Sequence, residues 1–346
     1  MEALATKYRP HSWDDVTEQG AVKVILQQQI GGGEIQHAYL FCGGAGTGKT
    51  TIARIFANEI NKGQGNPMEL DAASNNSVDD IRNIIQQSKV QSMDSEYRCF
   101  ILDECHMLSN SAWNAMLKVL EEPPRKSIFI LCTTDPQKIP KTILSRVQRF
   151  DFKRISQQGI VDRLITILAF EQIISTKVAL DRHIRPEVWE AVEYIAKIAD
   201  GGMRDAITLL DKCLAYSTDL TIENVIQALG TVDYEVFFEL TDAILKKDSA
   251  SVIKVIEVVH SNGKDLKQFV KDYMSFLLDI NKYDILHSFD YLQIPGTYQV
   301  TLEGYTPDWF ECCKNLLPVI VKLNADIKWE TQSKVVIESR LLGEVL

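Results

Sequence analysis

The sequence predicts an α/β protein in which a parallel-sheet domain is followed by domains made almost entirely of helices. Within the first 155 residues, four short apolar runs alternate with segments of helical spacing. This alternation is typical of a parallel sheet with helices on both faces. Beyond that point the strand signals nearly stop, whereas the signals that begin and end helices continue.

The four predicted strands are short apolar runs. They are AYLFC from Ala38, MEL around Leu70, CFIL ending at Leu102 and IFILC ending at Cys132. The clearest helix between them runs from Ser111 to Glu122, where apolar residues recur at helical spacing until two prolines end it. Ligands of open parallel sheets bind at the carboxyl ends of the strands, so we expect the functional residues directly after these runs.

Boundary signals organise the second half of the chain into helices. The indicated helices run from the cap Ser156 through Phe170, from Pro186 to before Gly201, and from the cap Thr221 toward Leu229. The segment IPGTYQVTLEGYTP, which begins at Ile294, is rich in turn-forming residues. We therefore predict a loop or a small hairpin there.

Composition and charge exclude several classes of protein. The 346 residues are 45% hydrophobic and 24% charged, as in soluble multi-domain proteins. No apolar stretch reaches the roughly eighteen residues of a membrane span and no signal peptide begins the chain, so we expect a cytoplasmic protein without membrane contact. A net charge of -10 excludes coating of nucleic acid by bulk electrostatics, because phosphate contacts need clustered cations. The seven cysteines lack the C-x-x-C spacing of a zinc site, and we expect them to be reduced thiols.

A phosphate-binding motif follows the first predicted strand. Residues Gly43 to Thr50, GGAGTGKT, match G-x-x-x-x-G-K-[ST], and a helix is predicted from Thr50 to Ile60. The glycines let backbone N–H groups surround the phosphates of a nucleotide, Lys49 reaches the outer phosphates, and the Thr50 hydroxyl binds magnesium. The motif therefore predicts a nucleotide site.

The run FILDECH supplies a second part of this site. Asp103 ends a predicted strand, where its carboxylate can hold magnesium, and Glu104 can polarise an attacking water. Together with Cys105 and His106, these acids also resemble the DExH box of a helicase. Such helicases need a second α/β domain in the same chain. Here the sequence beyond residue 155 carries helix signals and almost no strand signals. The helicase interpretation fails on this architecture.

Five segments resemble, in order, the ATPase subunit of bacterial clamp loaders. They are KYRPHSWDDVTEQ, the P-loop with TTIARIFANEIN, ELDAASNNSVDDIR, DECHMLSNSAWNAMLKVLEEPP and TTDPQKIPKTILSRVQRF. The family is that of the gamma and tau subunits of DNA polymerase III, which are AAA+ proteins, and small subunits of replication factor C are more distant relatives. The resemblance is dense over residues 4 to 230 and weak beyond them.

The resemblance implies a fold, an activity and partners. The fold would be an AAA+ ATPase domain over residues 1–154, a helical lid over 155–228 and an all-helical collar for oligomerisation over 229–346. ATP and Mg²⁺ would be the cofactors. The chain would be an ATP-hydrolysing subunit of a polymerase holoenzyme that opens a sliding clamp and loads it on primed-template DNA. Its partners would be that clamp, the DNA and other clamp-loader subunits, in a pentameric ring.

Site residues are implied by the same resemblance. Thr134 corresponds to sensor 1, Arg146 to the arginine finger that reaches the neighbouring subunit's ATP, and Arg204 to sensor 2 in the lid. The residues implied to surround adenine are Tyr8, Arg9, Pro10 and Val16. The residues implied to hold the phosphates are Gly44, Ala45, Gly46, Thr47, Gly48, Lys49, Thr50 and Thr51, with Arg204.

The sequence also departs from the family pattern. A four-cysteine zinc module usually follows the P-loop helix, but the corresponding NKGQGNP contains no cysteine, so we expect no zinc. In AASNNSVDD, Asn75 and Ser77 stand where basic residues are common. DNA phosphate contacts there would rely on helix N-terminal N–H groups and neutral side chains. We also expect the long tail of the tau form to be absent.

Two alternatives remain open at this point. One is a different AAA+ replication or recombination machine, such as a helicase loader or a branch-migration motor. The other is a non-catalytic scaffold subunit of a clamp loader. Subunits of that kind usually have a broken P-loop, whereas this P-loop is intact.

Overall fold

The computed structural model describes residues 2–90, 94–175, 184–230, 234–289, 292–328, 330 and 332–344. The chain divides into two compact units. One contains Met1–Ile184 and Ile195–Asp211, and the other contains Arg185–Tyr194 and Lys212–Leu346.

A five-stranded sheet forms the centre of the first unit. The strands are β1 (Ala38–Cys42), β2 (Met68–Asp71), β3 (Arg98–Asp103), β4 (Ser127–Thr133) and β5 (Gln148–Asp151). They are all parallel, in the order β2-β3-β4-β1-β5. The carboxyl ends of all five strands therefore meet at one edge, as the predicted fold class requires.

The fifth strand was absent from the sequence prediction. Residues QRFD of β5 lie at the edge of the sheet, and only Phe150 among them is buried. An edge strand covered on one side needs no continuous apolar run, and this segment has one apolar residue among four, so it lacks the signal used to identify strands.

Helices occupy the intervals between strands and most of the remaining chain. They are α1 (Leu4–Lys7), α2 (Gly20–Gly32), α3 (Lys49–Ile60), α4 (Val78–Ser88), α5 (Asn110–Glu121), α6 (Lys141–Leu144), α7 (Gln157–Phe170), α8 (Pro186–Ile198), α9 (Met203–Tyr216), α10 (Ile222–Leu229), α11 (Tyr234–Leu245), α12 (Ser249–Ser261), α13 (Leu266–Leu286), α14 (Gln299–Glu303), α15 (Pro307–Ile327) and α16 (Ser333–Glu344). The capped helices predicted from Ser156 and Thr221 are confirmed, because both hydroxyls accept a backbone N–H of the first turn.

Both faces of the sheet are covered, as predicted. Tyr39 and Phe41 of β1 pack with α2 and α3 on one face, while Leu40 and Cys42 pack with α4 and α5 on the other. Alternate residues of a strand point to opposite faces, so every residue of β1, which lies between β4 and β5, is buried. This two-sided core fixes the edge at which the P-loop and the acidic residues emerge.

The second unit is built around a helical core rich in aromatic rings. Phe237, Phe269 and Phe276 are buried there together with Trp309, whose indole nitrogen donates to Asp242 at 2.8 Å. The loop or hairpin predicted from Ile294 is wrong: a 3-10 turn at Gly296–Tyr298 leads directly into α14. Ile294 and Leu302 are fully buried, so packing of the segment against the core outweighs its turn-forming composition.

The division into three domains at residues 154 and 228 stays a prediction, since the boundaries of the two compact units fall inside α8 and α9. Among the described helices, none has the length and hydropathy of a membrane-spanning segment.

Candidate nucleotide-binding site

The P-loop connects β1 to α3 and presents backbone groups to one cavity. Gly46 and Gly48 have φ of +69° and +98°, a region that residues with a side chain rarely adopt. No side chain caps the N-terminus of α3, which begins at Lys49. The N–H groups of its first turn are therefore available to an anion.

Lys49 lies inside this loop. Its side chain is 5% exposed, and its ammonium donates to the carbonyl oxygens of Gly43 and Gly44 at 2.9 and 2.8 Å. Burial lowers the pKa of Lys49, while the nearby carboxylate of Glu104 acts in the opposite direction. A buried cation at the mouth of a P-loop is suited to binding the outer phosphates of a nucleotide.

Thr50 and Asp103 lie together, as the P-loop motif and the acidic strand end predict. The Thr50 hydroxyl donates to Asp103 Oδ2 at 2.7 Å, although the two residues are 53 positions apart. A hydroxyl and a carboxylate are hard oxygen donors of the kind that Mg²⁺ prefers, so this pair fits the expected metal.

Glu104 follows Asp103 in a constrained backbone conformation. Its φ is +45° and ψ +42°, in the left-handed region. Its Oε2 accepts the Thr134 hydroxyl at 2.8 Å and the Thr134 backbone N–H at 3.3 Å. Thr134, the residue implied as sensor 1, follows the end of β4. It thus contacts Glu104, the residue predicted to polarise water.

A cavity of about 360 Å³ joins these groups to the N-terminal segment. The predicted residues that line it are Tyr8, Arg9, Pro10, Val16, Ala45, Gly46, Thr47, Gly48, Lys49, Thr50, Thr51, Asp103, Glu104 and Arg204. The predicted residues outside its lining are Gly44, Thr134 and Arg146. The lining residues that the sequence analysis missed are Ala5, Thr6, Thr17, Ile155, Arg163, Met203, Asp205 and Ile207.

The N-terminus of α9 packs directly on the P-loop. The Met203 N–H donates to the Gly46 carbonyl at 3.0 Å, which brings the adjacent Arg204 to the cavity. Burial lowers the pKa of Arg9, and the charges of Arg54 and Arg204 lower it further. Arg9 and Arg204 therefore both place positive charge on the lining of this cavity.

The N-terminal segment is attached to α7. Arg163 donates to the Tyr8 carbonyl at 3.0 Å, the Tyr8 hydroxyl donates to Glu171 at 2.6 Å, and the Tyr8 ring stacks on Phe170 with centroids 6.1 Å apart. No motif marks Arg163, because only the fold brings α7 to this segment. Tyr8 is thus held at both its backbone and its ring.

Arg146 lies away from the cavity of its own chain. Its guanidinium donates to the Thr142 carbonyl at 2.6 Å, to the Ser145 hydroxyl at 3.0 Å and to Glu121 at 2.7 Å. The structure therefore does not bring Arg146 together with Lys49 and Glu104.

Ser77 caps α4 rather than standing free. Its hydroxyl accepts the Asp80 N–H, and the Asp80 carboxylate accepts the Ser77 N–H in a capping box. Asp79 and Asp80 place negative charge in this first turn. A DNA contact at this helix terminus stays a prediction.

The cysteines do not gather into a metal centre. All seven are free thiols, and only Cys312 is partly exposed. The described residues contain no group of three or more His, Cys, Asp or Glu side chains that could hold a metal ion. That the protein binds no zinc remains a prediction.

Three family models match consecutive parts of the chain. Residues 69–156 match the DNA polymerase III delta subunit, residues 159–219 match the ATPase lid domain of the DNA polymerase III clamp loader subunit, and residues 220–302 match domain III of DNA polymerase III subunits gamma and tau.

Sequence relatives and solved structures agree with these matches. The chain is 34% identical to DNA polymerase III subunit tau of Bacillus subtilis, over 97% of this chain and 62% of that protein. It spans 44% of subunit tau of Escherichia coli at 32% identity.

A structural neighbour is RuvB, the Holliday junction branch migration motor of Thermotoga maritima, with a TM-score of 0.53 and 20% identity over 75% of this chain and 86% of that one. That likeness shows a shared AAA+ fold.

One relative is matched along most of its own length. DNA polymerase III subunit gamma of Buchnera aphidicola is 32% identical over 81% of this chain and 80% of that protein. The chain therefore belongs to the family of DNA polymerase III gamma and tau subunits, which are clamp-loader proteins with the AAA+ ATPase fold.

Proposed function

We propose that this chain is an ATP-hydrolysing subunit of a clamp loader, which opens a sliding clamp and loads it on primed-template DNA. The observation that carries the proposal is the convergence of Lys49, Thr50, Asp103 and Glu104 on one cavity. These residues come from two separate strand ends, and each type has a defined role in phosphoryl transfer. Family membership supplies the class of machine.

At the phosphate end, this chain's groups bind and orient ATP. The P-loop N–H groups and Lys49 hold the outer phosphates, and Arg204 approaches them from α9. Thr50 and Asp103 would hold Mg²⁺, which neutralises charge on the phosphates when it is bound. Glu104 accepts a hydrogen bond from the water that attacks the γ-phosphorus, and the bond to the β-phosphate oxygen breaks.

At the base end, the N-terminal segment surrounds adenine. Tyr8, Arg9, Pro10 and Val16 line the cavity there, and the contacts of Tyr8 with α7 hold the segment in place. The lid thereby takes part in the site at both ends, through α7 at the base and through α9 at the phosphates.

Arg146 acts on the ATP of a neighbouring subunit. Arg146 does not line the cavity of its own chain and lies just after α6, and both observations support a role in trans. The active assembly is then a ring of subunits, which we propose to be pentameric and to be held together by a collar over residues 229–346 after a lid over 155–228. Sensor 1 is Thr134, which contacts Glu104.

The experiment mixes two inactive variants. Arg146→Ala subunits lack the finger and Lys49→Ala subunits lack the P-loop cation, so each alone should hydrolyse ATP poorly even with Mg²⁺. Mixed oligomers contain interfaces where an intact finger meets an intact P-loop. We expect ATP hydrolysis stimulated by primed-template DNA and a sliding clamp to return in the mixture.

Two results would contradict the proposal. Verified mixed oligomers that stay inactive would show that Arg146 does not act in trans. If neither primed-template DNA nor the clamp changes the ATPase rate of the wild-type protein, the clamp-loader role is refuted. The likeness to RuvB does not favour branch migration, because at 20% identity it extends to the fold alone.

A further inference from the structure

We propose that His106 is a positioning residue for Glu104, holding its carboxylate so that one oxygen faces the attacking water. The inference rests on the proposed role of Glu104 in hydrolysis. Nothing in the P-loop or in the strand-end pair requires a histidine at this position, so its placement is an independent feature of the fold.

The imidazole is largely buried between Thr133, which ends β4, and the Glu104 carboxylate. His106 lies in the 3-10 turn Cys105–Met107, directly after Glu104. Its side chain is 11% exposed. Its Nδ1 lies 3.3 Å from Glu104 Oε2 and within hydrogen-bonding distance, 3.2 Å, of Thr133 Oγ1.

The chemistry of the neighbours assigns the hydrogen on this ring. The Thr133 hydroxyl accepts the Asp135 N–H at 3.0 Å and can still either donate to Nδ1 or accept from it, so Glu104 decides the tautomer; an ionised carboxylate oxygen can only accept. A lone pair on Nδ1 would face the lone pairs of Glu104 Oε2. We therefore assign the hydrogen to Nδ1, where it is attracted to that oxygen.

All polar contacts that the described residues make with the Glu104 carboxylate converge on Oε2. They come from His106 Nδ1 and from the hydroxyl and N–H of Thr134. This leaves Oε1 as the oxygen that can accept from a water. His106 and Thr134 thus hold the carboxylate from two different elements, the turn after β3 and the end of β4.

The backbone makes this support necessary. Glu104 adopts a left-handed conformation, and its N–H is held by the Asp103 carboxylate at 3.0 Å while its carbonyl accepts the Met107 N–H at 2.9 Å. Such conformations persist where the surroundings over-determine them. The turn directs the side chain toward the cavity, and the buried ring limits how far it can swing.

The test compares His106→Ala with His106→Asn, whose amide N–H can replace the Nδ1 donor. Met107→Ala is the matched control, because Met107 lies in the same turn and its side chain is 46% exposed. We expect His106→Ala to lower the kcat of DNA-stimulated hydrolysis about ten- to a hundredfold, on the scale of a misplaced catalytic group. The affinity for ATP should change less than about twofold, because His106 does not line the nucleotide cavity. His106→Asn should recover part of kcat.

A double variant separates this inference from the function on which it rests. If His106 acts through Glu104, His106→Ala combined with Glu104→Gln should be no slower than Glu104→Gln alone. A wild-type kcat in His106→Ala, full additivity in the double variant, or equal losses in the Ala and Asn variants would overturn the positioning role, even while Glu104→Gln abolishes hydrolysis. Hydrolysis at the wild-type rate in Glu104→Gln would instead refute the proposed role of Glu104, and this inference with it.

Discussion

Gly46→Ala tests the packing of α9 on the P-loop. Gly46 has φ of +69°, and a Cβ there would lie 2.9 Å from the Cα and 3.1 Å from the carbonyl carbon of Gly202. Both are backbone atoms, so no side-chain rotation relieves the overlap. The left-handed conformation costs an alanine about 1–2 kcal/mol. Overpacking adds about 1–3 kcal/mol, so we expect the free energy of unfolding to fall by about 2–5 kcal/mol.

Gly63→Ala is the control that separates the steric contact of Gly46→Ala with Gly202 from the backbone strain. Gly63 has φ of +77°, but no atom lies within 4 Å of its Cβ position, so this variant carries the strain alone. Urea denaturation followed by circular dichroism measures the difference between the two variants. Calorimetry with ATP should show at least about tenfold weaker binding for Gly46→Ala only, because displaced P-loop N–H groups lose phosphate contacts of about 1.5–3 kcal/mol each. Equal stability of the two variants would refute the reasoning, as would unchanged ATP affinity in Gly46→Ala.

Three further predictions concern charge, metal and thiols. Lys49→Ala should abolish ATP binding measured by calorimetry, because the buried cation for the outer phosphates is lost; near-normal affinity would contradict the P-loop assignment. Elemental analysis should find no stoichiometric zinc, and one zinc per chain would overturn the inference from the missing cysteine module. Burial raises the pKa of the Cys42 thiol to about 11. At pH 8, therefore, only about one Cys42 side chain in a thousand is a thiolate. Iodoacetamide should therefore modify the partly exposed Cys312 first, and mass spectrometry showing faster modification of Cys42 would contradict this.

Local signals accounted for most of the secondary structure. The hydroxyls of Ser156 and Thr221 cap helices through bonds to residues three positions away, so the information lies within one turn. The strands inside the sheet, β1, β3 and β4, contain continuous apolar runs that can be read directly from the sequence. The edge strand β5 and the helical turns after Ile294 escaped prediction, because the first needs only one buried residue and the second is decided by packing against the core of its unit.

The sequence by itself determined the phosphate end of the site. A P-loop acts through its own backbone and Lys49, and Asp103 and Glu104 stand at a strand end that is readable from its apolar run. The assignments of Arg146 and Arg204 came from family resemblance, since neither arginine carries a local signal.

Only the tertiary structure decided how these residues meet. The parallel register of β3 and β4 brings Glu104 to Thr134, and it places His106 against Thr133 across 27 positions of sequence. The approach of α9 to Gly46 and of Arg163 to Tyr8 likewise joins residues more than 150 positions apart. Such contacts depend on packing between elements that are distant in the chain, and periodicity and motif spacing describe only the elements themselves.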